Sequence, residues 1–140
     1  MTKNYKILET YIKDMSSETP NVETYSFVKD YISNYQLNID IDSKPVKGKI
    51  IEINTLMKFE DIKKNEKKSY FEINFASVVK VDDQVKEKKE LQKIILCDVQ
   101  IEIYPKLEKS LLDLIHNSGY PDIKFEKKVD FESLYNQKFN

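Results

Sequence analysis

Hydrophobic and polar residues alternate along three successive stretches of the chain, residues 37–41, 51–59 and 71–75. A period of two puts every second side chain on the same side of a strand, so each stretch is predicted to be a β-strand with one buried and one polar face. The third strand is expected to continue to Val81. Short polar connections separate the three stretches, which indicates an antiparallel meander.

The pattern before these strands is less regular. Residues 5–15 mix apolar spacings, and their β-branched and aromatic content favours one more strand. The cluster at residues 16–21 contains Pro20 and is predicted to be a loop. Residues 22–34 hold several apolar side chains without a clear period, and their secondary structure stays open.

After about Val85 the apolar spacing becomes that of a helix. Residues 99–103 nevertheless alternate like a strand, and Pro105 is suited to the first turn of a new helix. Two arrangements therefore stay open. Either one long helix is broken near Pro105, or a helix, a short extended piece and a second helix follow one another.

The C-terminal part carries clear stop and start signals. Asn117, Ser118 and Gly119 end the helical pattern, and Pro121 prevents its continuation. Asp130 is placed to cap a short last helix. The whole chain, residues 1–140, is thus predicted to be one α+β domain: a four-stranded antiparallel sheet, a long broken helix, a crossover loop and a short C-terminal helix.

The predicted long helix carries a stripe of four apolar residues, Leu107, Leu111, Leu114 and Ile115. We expect this stripe to exceed what one sheet face covers. The chain also has 9 Tyr and 7 Phe, some of which should remain on an open apolar surface. Because such surfaces mark oligomer contacts or binding grooves, we predict an assembly of several copies, a homotetramer.

Composition limits the partners and the location of the protein. Its 23 basic residues are all Lys and face 24 acidic ones, and the missing Arg argues against a nucleic-acid binder. The longest apolar run, residues 94–97, is far shorter than a membrane span of ~20 residues, so no membrane insertion is expected. The N-terminus lacks the apolar core of a secretory signal, and a cytoplasmic protein is therefore expected.

Few residues in the chain are suited to catalysis. Cys97 and His116 are the only residues of their types, which is too few for a zinc site, and no nucleophile or acid partner for His116 is evident. The two glycines, Gly48 and Gly119, are isolated and cannot form a phosphate-binding loop. We predict a protein that is not an enzyme and has no metal or cofactor.

Two segments resemble a known family. Residues 11–21, Tyr-Ile-Lys-Asp-Met-Ser-Ser-Glu-Thr-Pro-Asn, are similar to the Y-x-K-D-x-S-x-E-x-P signature of SecB-type protein-export chaperones. Residues 119–121 and 129–135 resemble the family's helix stop, crossover loop and start of the final helix, and Tyr104–Pro105 matches its Phe-Pro pair. The chain departs from the family in lacking its glycine-rich turn, and we expect it to lack the family's acidic tail as well.

The resemblance implies a cytosolic, ATP-independent holdase without enzymatic activity. Such a chaperone is a dimer of dimers with helices sandwiched between two four-stranded sheets. It binds unfolded preproteins in long apolar grooves and passes them to the SecA motor. The alternative is a SecB-like adaptor for one defined partner. A chaperone should bind many unfolded proteins, whereas an adaptor should prefer one ligand.

The resemblance also implies the residues of two sites. Four residues match the family's SecA-docking face, with Tyr70 replacing a Leu: Asp14, Glu18, Tyr70 and Glu72. For the preprotein-binding groove we nominate aromatic and apolar residues from the first strand, the 22–34 segment and the crossover loop: Tyr11, Tyr25, Phe27, Tyr120, Ile123 and Phe125.

Overall fold

The computed structural model of the protein describes residues 3–61, 63, 68–125 and 128–139. The strands are β1 (Tyr5–Glu18), β2 (Gln36–Lys47), β3 (Ile50–Glu60) and β4 (Tyr70–Val81). The helices are α1 (Val22–Tyr31), α2 (Lys88–Lys93), α3 (Val99–Asn117) and α4 (Phe131–Phe139). A 3-10 turn, Ile32–Asn34, follows α1. One turn of π-helix, Ile94–Asp98, which we call the π turn, joins α2 to α3, and we call the three together the long helix.

The four strands form one antiparallel sheet in the order β1-β4-β3-β2. The connection from β1 to β2, which contains α1, crosses to the far edge of the sheet. From there β2, β3 and β4 follow as neighbours, and β4 pairs with β1. This confirms the predicted four-stranded antiparallel sheet, followed by a long helix and a short C-terminal helix.

All the helices pack against the same side of the sheet, which we call the helix face. It carries the alternating residues of the central strands, among them Ile53, Met57 and Ile73, which have no solvent exposure. The other side, which we call the open face, carries their neighbours in sequence. The period of two in the sequence therefore predicted correctly which residues form the core.

We predicted that part of the apolar stripe of the long helix would remain exposed, but the stripe is buried. Leu107, Leu111 and Ile115 are fully buried against the chain's own sheet, and Leu114 is half-buried at the rim of the same core. The expectation was wrong because the strands are 11 to 14 residues long and β3 and β4 present wide apolar surfaces. The stripe therefore gives no support to an assembly of several copies.

Residues 99–103 are helical, and α3 passes through Pro105 without a break. The apparent alternation arises because Val99 and Ile103 are four residues apart on the buried side of α3, whereas Ile101 is 52% exposed. Pro105 removes the N–H that would bond to the carbonyl of Ile101. Both residues lie on the solvent side, so water can satisfy that carbonyl and the helix continues.

Two boundaries near the N-terminus also differ from the sequence-based expectation. Ser16 and Ser17 belong to β1, where they pair with Glu72 and Phe71, so the predicted loop begins only after Glu18. A strand ladder uses backbone groups, which small polar side chains do not disturb. The open segment after this loop is the helix α1, whose first turn is capped by Asn21 through a bond of 2.9 Å from the amide of Thr24.

One polar pair lies inside the otherwise apolar core. Gln100 and Thr55 have no solvent exposure, and the hydroxyl of Thr55 donates to Oε1 of Gln100 at 2.9 Å. The amide of Gln100 donates in turn to the carbonyl of Ile95 in the π turn, at 3.1 Å. The pair thus joins the centre of β3 to the π turn, and both the oxygen and the nitrogen of the Gln100 side-chain amide are hydrogen-bonded.

Candidate functional site

The open face of the sheet brings together the four residues predicted for SecA docking. In the ladder between β1 and β4, Glu18 lies opposite Tyr70 and Asp14 lies opposite Asn74. Glu72 alternates with the buried Phe71 and therefore points to the open face, between these two pairs. Cross-strand and diagonal neighbours on one face are about 5–8 Å apart, so the three carboxylates form one patch beside the Tyr70 ring.

The adjacent strand β3 adds a carboxylate that the sequence analysis missed. Glu60 lies opposite Tyr70, and Lys58 lies opposite Glu72. Lys58, Glu60, Tyr70 and Glu72 line part of a depression of about 570 Å³ at this end of the sheet. We call the patch formed by Asp14, Glu18, Glu60, Tyr70 and Glu72 the acidic face. Glu60 is found only once the register across the connection from β3 to β4 is known.

Tyr11, predicted for the groove, also lies on the open face and not with the other groove residues. Its hydroxyl donates to Oε2 of Glu52 at 3.2 Å, and Lys13 forms an ion pair with the same carboxylate. The hydrogen bond from Lys13 lowers the pKa of Glu52 below its ordinary value, partial burial opposes this shift, and the bond from Tyr11 adds to it. Tyr11 therefore belongs to a polar cluster in the middle of the open face.

Four of the other five predicted groove residues lie together on the helix face, at the end where α1 meets the crossover loop. The fifth, Phe27, packs its ring against Tyr31 within α1, with centroids 4.6 Å apart. The rings of Tyr25 and Tyr120 stack with centroids 5.3 Å apart, and the Tyr25 hydroxyl donates to the carbonyl of Gly119 at 2.9 Å. Phe125 packs edge-on against Phe59 at 5.4 Å. Tyr120 is only 4% exposed and anchors the core, whereas three of its neighbours are half-buried: Tyr25, Ile123 and Phe125. We call these four residues the aromatic cluster.

His116 holds the crossover loop in place. It lies in the last turn of α3, and its Nε2 is 2.8 Å from the carbonyl of Ile123, so that nitrogen donates the hydrogen bond. The bond closes the segment that contains the helix stop at Gly119. The only His of the chain thus positions part of the aromatic cluster.

The edge strand β2 forms a second apolar surface on the helix face. Its residues Leu37, Ile39 and Ile41 are half-buried, because no strand beyond β2 covers them in the described part of the chain. Ile39 and Ile41 line a groove of about 180 Å³ together with side chains of the π turn and α4: Leu96, Phe131, Leu134 and Tyr135. We call this the β2 groove. Leu134 is 51% exposed there.

The aromatic cluster and the β2 groove lie along one line. Leu37 pairs with Phe59, against which Phe125 packs, and Ile39 and Ile41 follow at two-residue steps. Four residues of strand span about 13 Å, so apolar side chains follow the free edge of β2 from the crossover loop to α4. The aromatic cluster, at one end of this line, was predicted from the sequence. The β2 groove, at the other end, was not, because its only sequence signal was the alternation of residues 37–41.

The described residues hold no group of three or more His, Cys, Asp or Glu side chains placed to bind a metal ion. In the same part of the chain, no helix is both long and apolar enough to span a membrane.

Comparisons with known proteins agree with this architecture. The model of the family described as preprotein translocase subunit SecB matches residues 1–140. A protein of Pelagibacter ubique (strain HTCC1062) assigned as protein-export protein SecB is 59% identical over 140 residues, the full length of both chains. The protein-export protein SecB of Parvibaculum lavamentivorans is 25% identical over 133 residues, which cover 95% of this chain and 77% of that protein.

A solved structure has the same fold. The SecB-like chaperone of Mycobacterium tuberculosis, in complex with a ChAD peptide from an antitoxin, matches with a TM-score of 0.62 at 10% identity, over 90% of this chain and 91% of that one. The sheet with helices on one face is thus the fold of the SecB-like chaperones. The chain itself belongs to the SecB family and is a protein-export chaperone, as the motifs at residues 11–21 and 119–135 indicated.

Proposed function

We propose that the protein is an ATP-independent holdase of the cytoplasm, which binds unfolded preproteins on the helix face and delivers them to SecA through the acidic face. The observation that carries the proposal is the separation of the two surfaces. The line from the aromatic cluster to the β2 groove lies on one side of the sheet and the acidic face on the other. A client and a motor can therefore be bound at the same time.

The free edge of β2 suits an extended client. Its outward backbone N–H and C=O groups can pair with an added strand, and the apolar line beside it can take alternate side chains of that strand. Each large apolar side chain that is fully buried contributes about 1.5–3 kcal/mol. Several such contacts hold an unfolded chain without any energy source, and binding of the unfolded state delays folding by mass action.

The acidic face suits a basic partner surface. Asp14, Glu18, Glu60 and Glu72 lie close together, and three lysines line the depression beside them: Lys58, Lys63 and Lys68. Because these charges are at the surface, they act mainly on specificity and association rate. We therefore infer that SecA contacts this face with a basic region, and that the ring of Tyr70 supplies the apolar contact at its centre.

We also propose that the protein assembles into a homotetramer. The support is on β1, whose outer edge pairs with no strand in the described part of the chain. It carries four large apolar side chains that are each 40–44% exposed: Leu8, Tyr11, Ile12 and Met15. A long edge of this kind is normally covered. Light scattering at micromolar concentration should give about four times the chain mass of 16.6 kDa. A stable species of the single chain mass would contradict the assembly.

Replacement of Phe125 by Asp tests the client site. Phe125 is half-buried beside Phe59, and a carboxylate there would face apolar client side chains, which is costly. We expect client capture to weaken by roughly tenfold, measured as the loss of the delay that the protein imposes on refolding of an unrelated unfolded protein without ATP. The oligomeric mass should not change.

The control is Val46→Asp, because Val46 is 55% exposed near the end of β2 and outside both apolar surfaces. It should delay refolding as the parent protein does. Equal capture by the Phe125→Asp variant and the parent would show that clients bind elsewhere. If the parent binds one unfolded protein and ignores several others, the protein is an adaptor for a defined partner.

A further inference from the structure

A third concave surface lies outside both proposed sites. It is a cleft of about 670 Å³ between the turn that joins β2 to β3 and the start of the long helix. Its floor is apolar. Val81 and Val85 are 4% and 5% exposed, and Ile51 and Leu91 are half-buried at its walls. The volume is that of an ordinary ligand pocket, large enough for a few side chains of a peptide.

The rim of this cleft is basic. Lys49, Lys86 and Lys88 surround it and are exposed, with Glu87 as the acidic residue among them. Within the described part of the chain, none of the three lysines takes part in an ion pair. The rim therefore has a positive charge available for a partner, which is the opposite of the acidic face.

The cleft and the β2 groove lie along the same helical segment. Leu91 lines the cleft and Leu96 lines the groove, five residues further along, which is a rise of about 7.5 Å. The hydroxyl of Tyr135, at the groove, donates to the carbonyl of Lys89, between the two surfaces, at 3.3 Å. Two or three residues of an extended chain span such a distance, so one client segment can occupy both.

We propose that this cleft is a second client-binding site, which takes segments that combine an apolar side chain with neighbouring Asp or Glu residues. The apolar side chain enters the floor between Ile51, Val81 and Leu91, and the carboxylates meet the lysine rim. The inference rests on the proposed holdase function and adds a preference to it. The preference is for negative charge next to the apolar stretch of a client.

Complementary charge at the rim works as a selection device. Lysines hold carboxylates as flexible point charges and demand no fixed geometry, which suits binding of many different sequences. Segments with basic residues in the same place would meet repulsion, so the cleft discriminates by both attraction and exclusion. The contacts are exposed and are weakened by salt over a Debye length of about 8–10 Å.

The test compares two short fluorescent peptides with the same apolar residues, one ending in Asp and Glu residues and the other in Ser and Gln residues. Binding is followed by fluorescence anisotropy at low and high salt. The parent protein should bind the acidic peptide about three- to tenfold more tightly at low salt, as expected for a few exposed charge pairs. That preference should disappear in the variant Lys86→Glu with Lys88→Glu, whose affinity for the neutral peptide stays unchanged.

The matched control is Lys6→Glu with Lys80→Glu. Lys6 and Lys80 lie opposite each other between β1 and β4, on the open face, whereas the cleft floor is on the helix face. Their replacement changes the net charge by the same amount. The control should keep the preference for the acidic peptide. Loss of the preference in the control would assign it to overall charge and would overturn the inference.

The remaining outcomes separate the inference from the proposed function. If the parent binds both peptides equally, or if the cleft variant keeps the preference, the cleft takes no acidic segment and the holdase proposal stands. If the parent binds neither peptide and does not delay refolding, the holdase proposal fails and the inference fails with it.

Discussion

Replacing Asp14 and Glu72 together by Lys is expected to abolish binding to SecA, while client capture and the oligomeric mass stay as in the parent. The reason is geometric. Both side chains are on the open face, two strand positions apart, and neither touches the core or the helix face. The change leaves two of the four carboxylates of the acidic face and adds two lysines, and like charges across an interface are strongly unfavourable.

The matched control uses two carboxylates of the same open face that lie outside the acidic face, Glu9 on β1 and Asp40 on β2. The variant Glu9→Lys with Asp40→Lys has the same change in net charge and should bind SecA as the parent does. Titration calorimetry at increasing salt measures all three proteins, and the parent's affinity should fall steeply. Undiminished binding by the Asp14 and Glu72 variant would refute the assignment of the acidic face.

Replacing Gly119 by Ala is expected to destabilise the protein and to impair client capture. Gly119 has φ of +110°, and an added Cβ would lie 2.6 Å from Cε1 of Tyr25. An L residue at such a φ costs of order 1–3 kcal/mol, and the ring must move as well. That movement breaks the stacking of Tyr25 on Tyr120 and the bond from its hydroxyl to the Gly119 carbonyl.

The variant Gly48→Ala separates the backbone cost of a positive φ from the cost of displacing the Tyr25 ring. Gly48 also has a positive φ, of +56°, but nothing lies within 4 Å of an added Cβ. This variant should pay only the smaller backbone cost of the left-handed region, about 1–2 kcal/mol, and should leave the contacts of Tyr25 with Tyr120 and Gly119 intact. Urea unfolding gives the stabilities and delayed refolding gives the capture. If Gly119→Ala is no worse than Gly48→Ala in both assays, Tyr25 is not held by its contact with Gly119.

The central strands were predictable because their burial follows a local rule. Ile53, Met57 and Ile73 each alternate with a polar neighbour, and a half-buried strand requires that pattern whatever the rest of the fold is. The helix around Pro105 was not predictable in the same way. Two apolar residues at i and i+4, with Ile101 by chance between them, fit either period. Only packing against the sheet decides the choice.

The exposed surfaces were harder to predict than the core. Whether the stripe at Leu107 and Leu111 faces a second copy or the chain's own sheet depends on the area of that sheet, which no local pattern contains. The residues proposed for SecA docking came from the resemblance to the SecB family, since isolated carboxylates have no specificity among 24 acidic residues. Glu60 and the β2 groove needed the strand order, because they are assembled from residues distant in sequence.

The buried pair of Gln100 and Thr55 limits how this chaperone can move. If the long helix slid along the sheet by even one residue, the two side chains would separate inside the core, and each unpaired polar group would cost about 1–3 kcal/mol. The helix and the sheet therefore move as one body. For a client bound on the helix face, as proposed, this fixes the spacing between the long helix and the central strands.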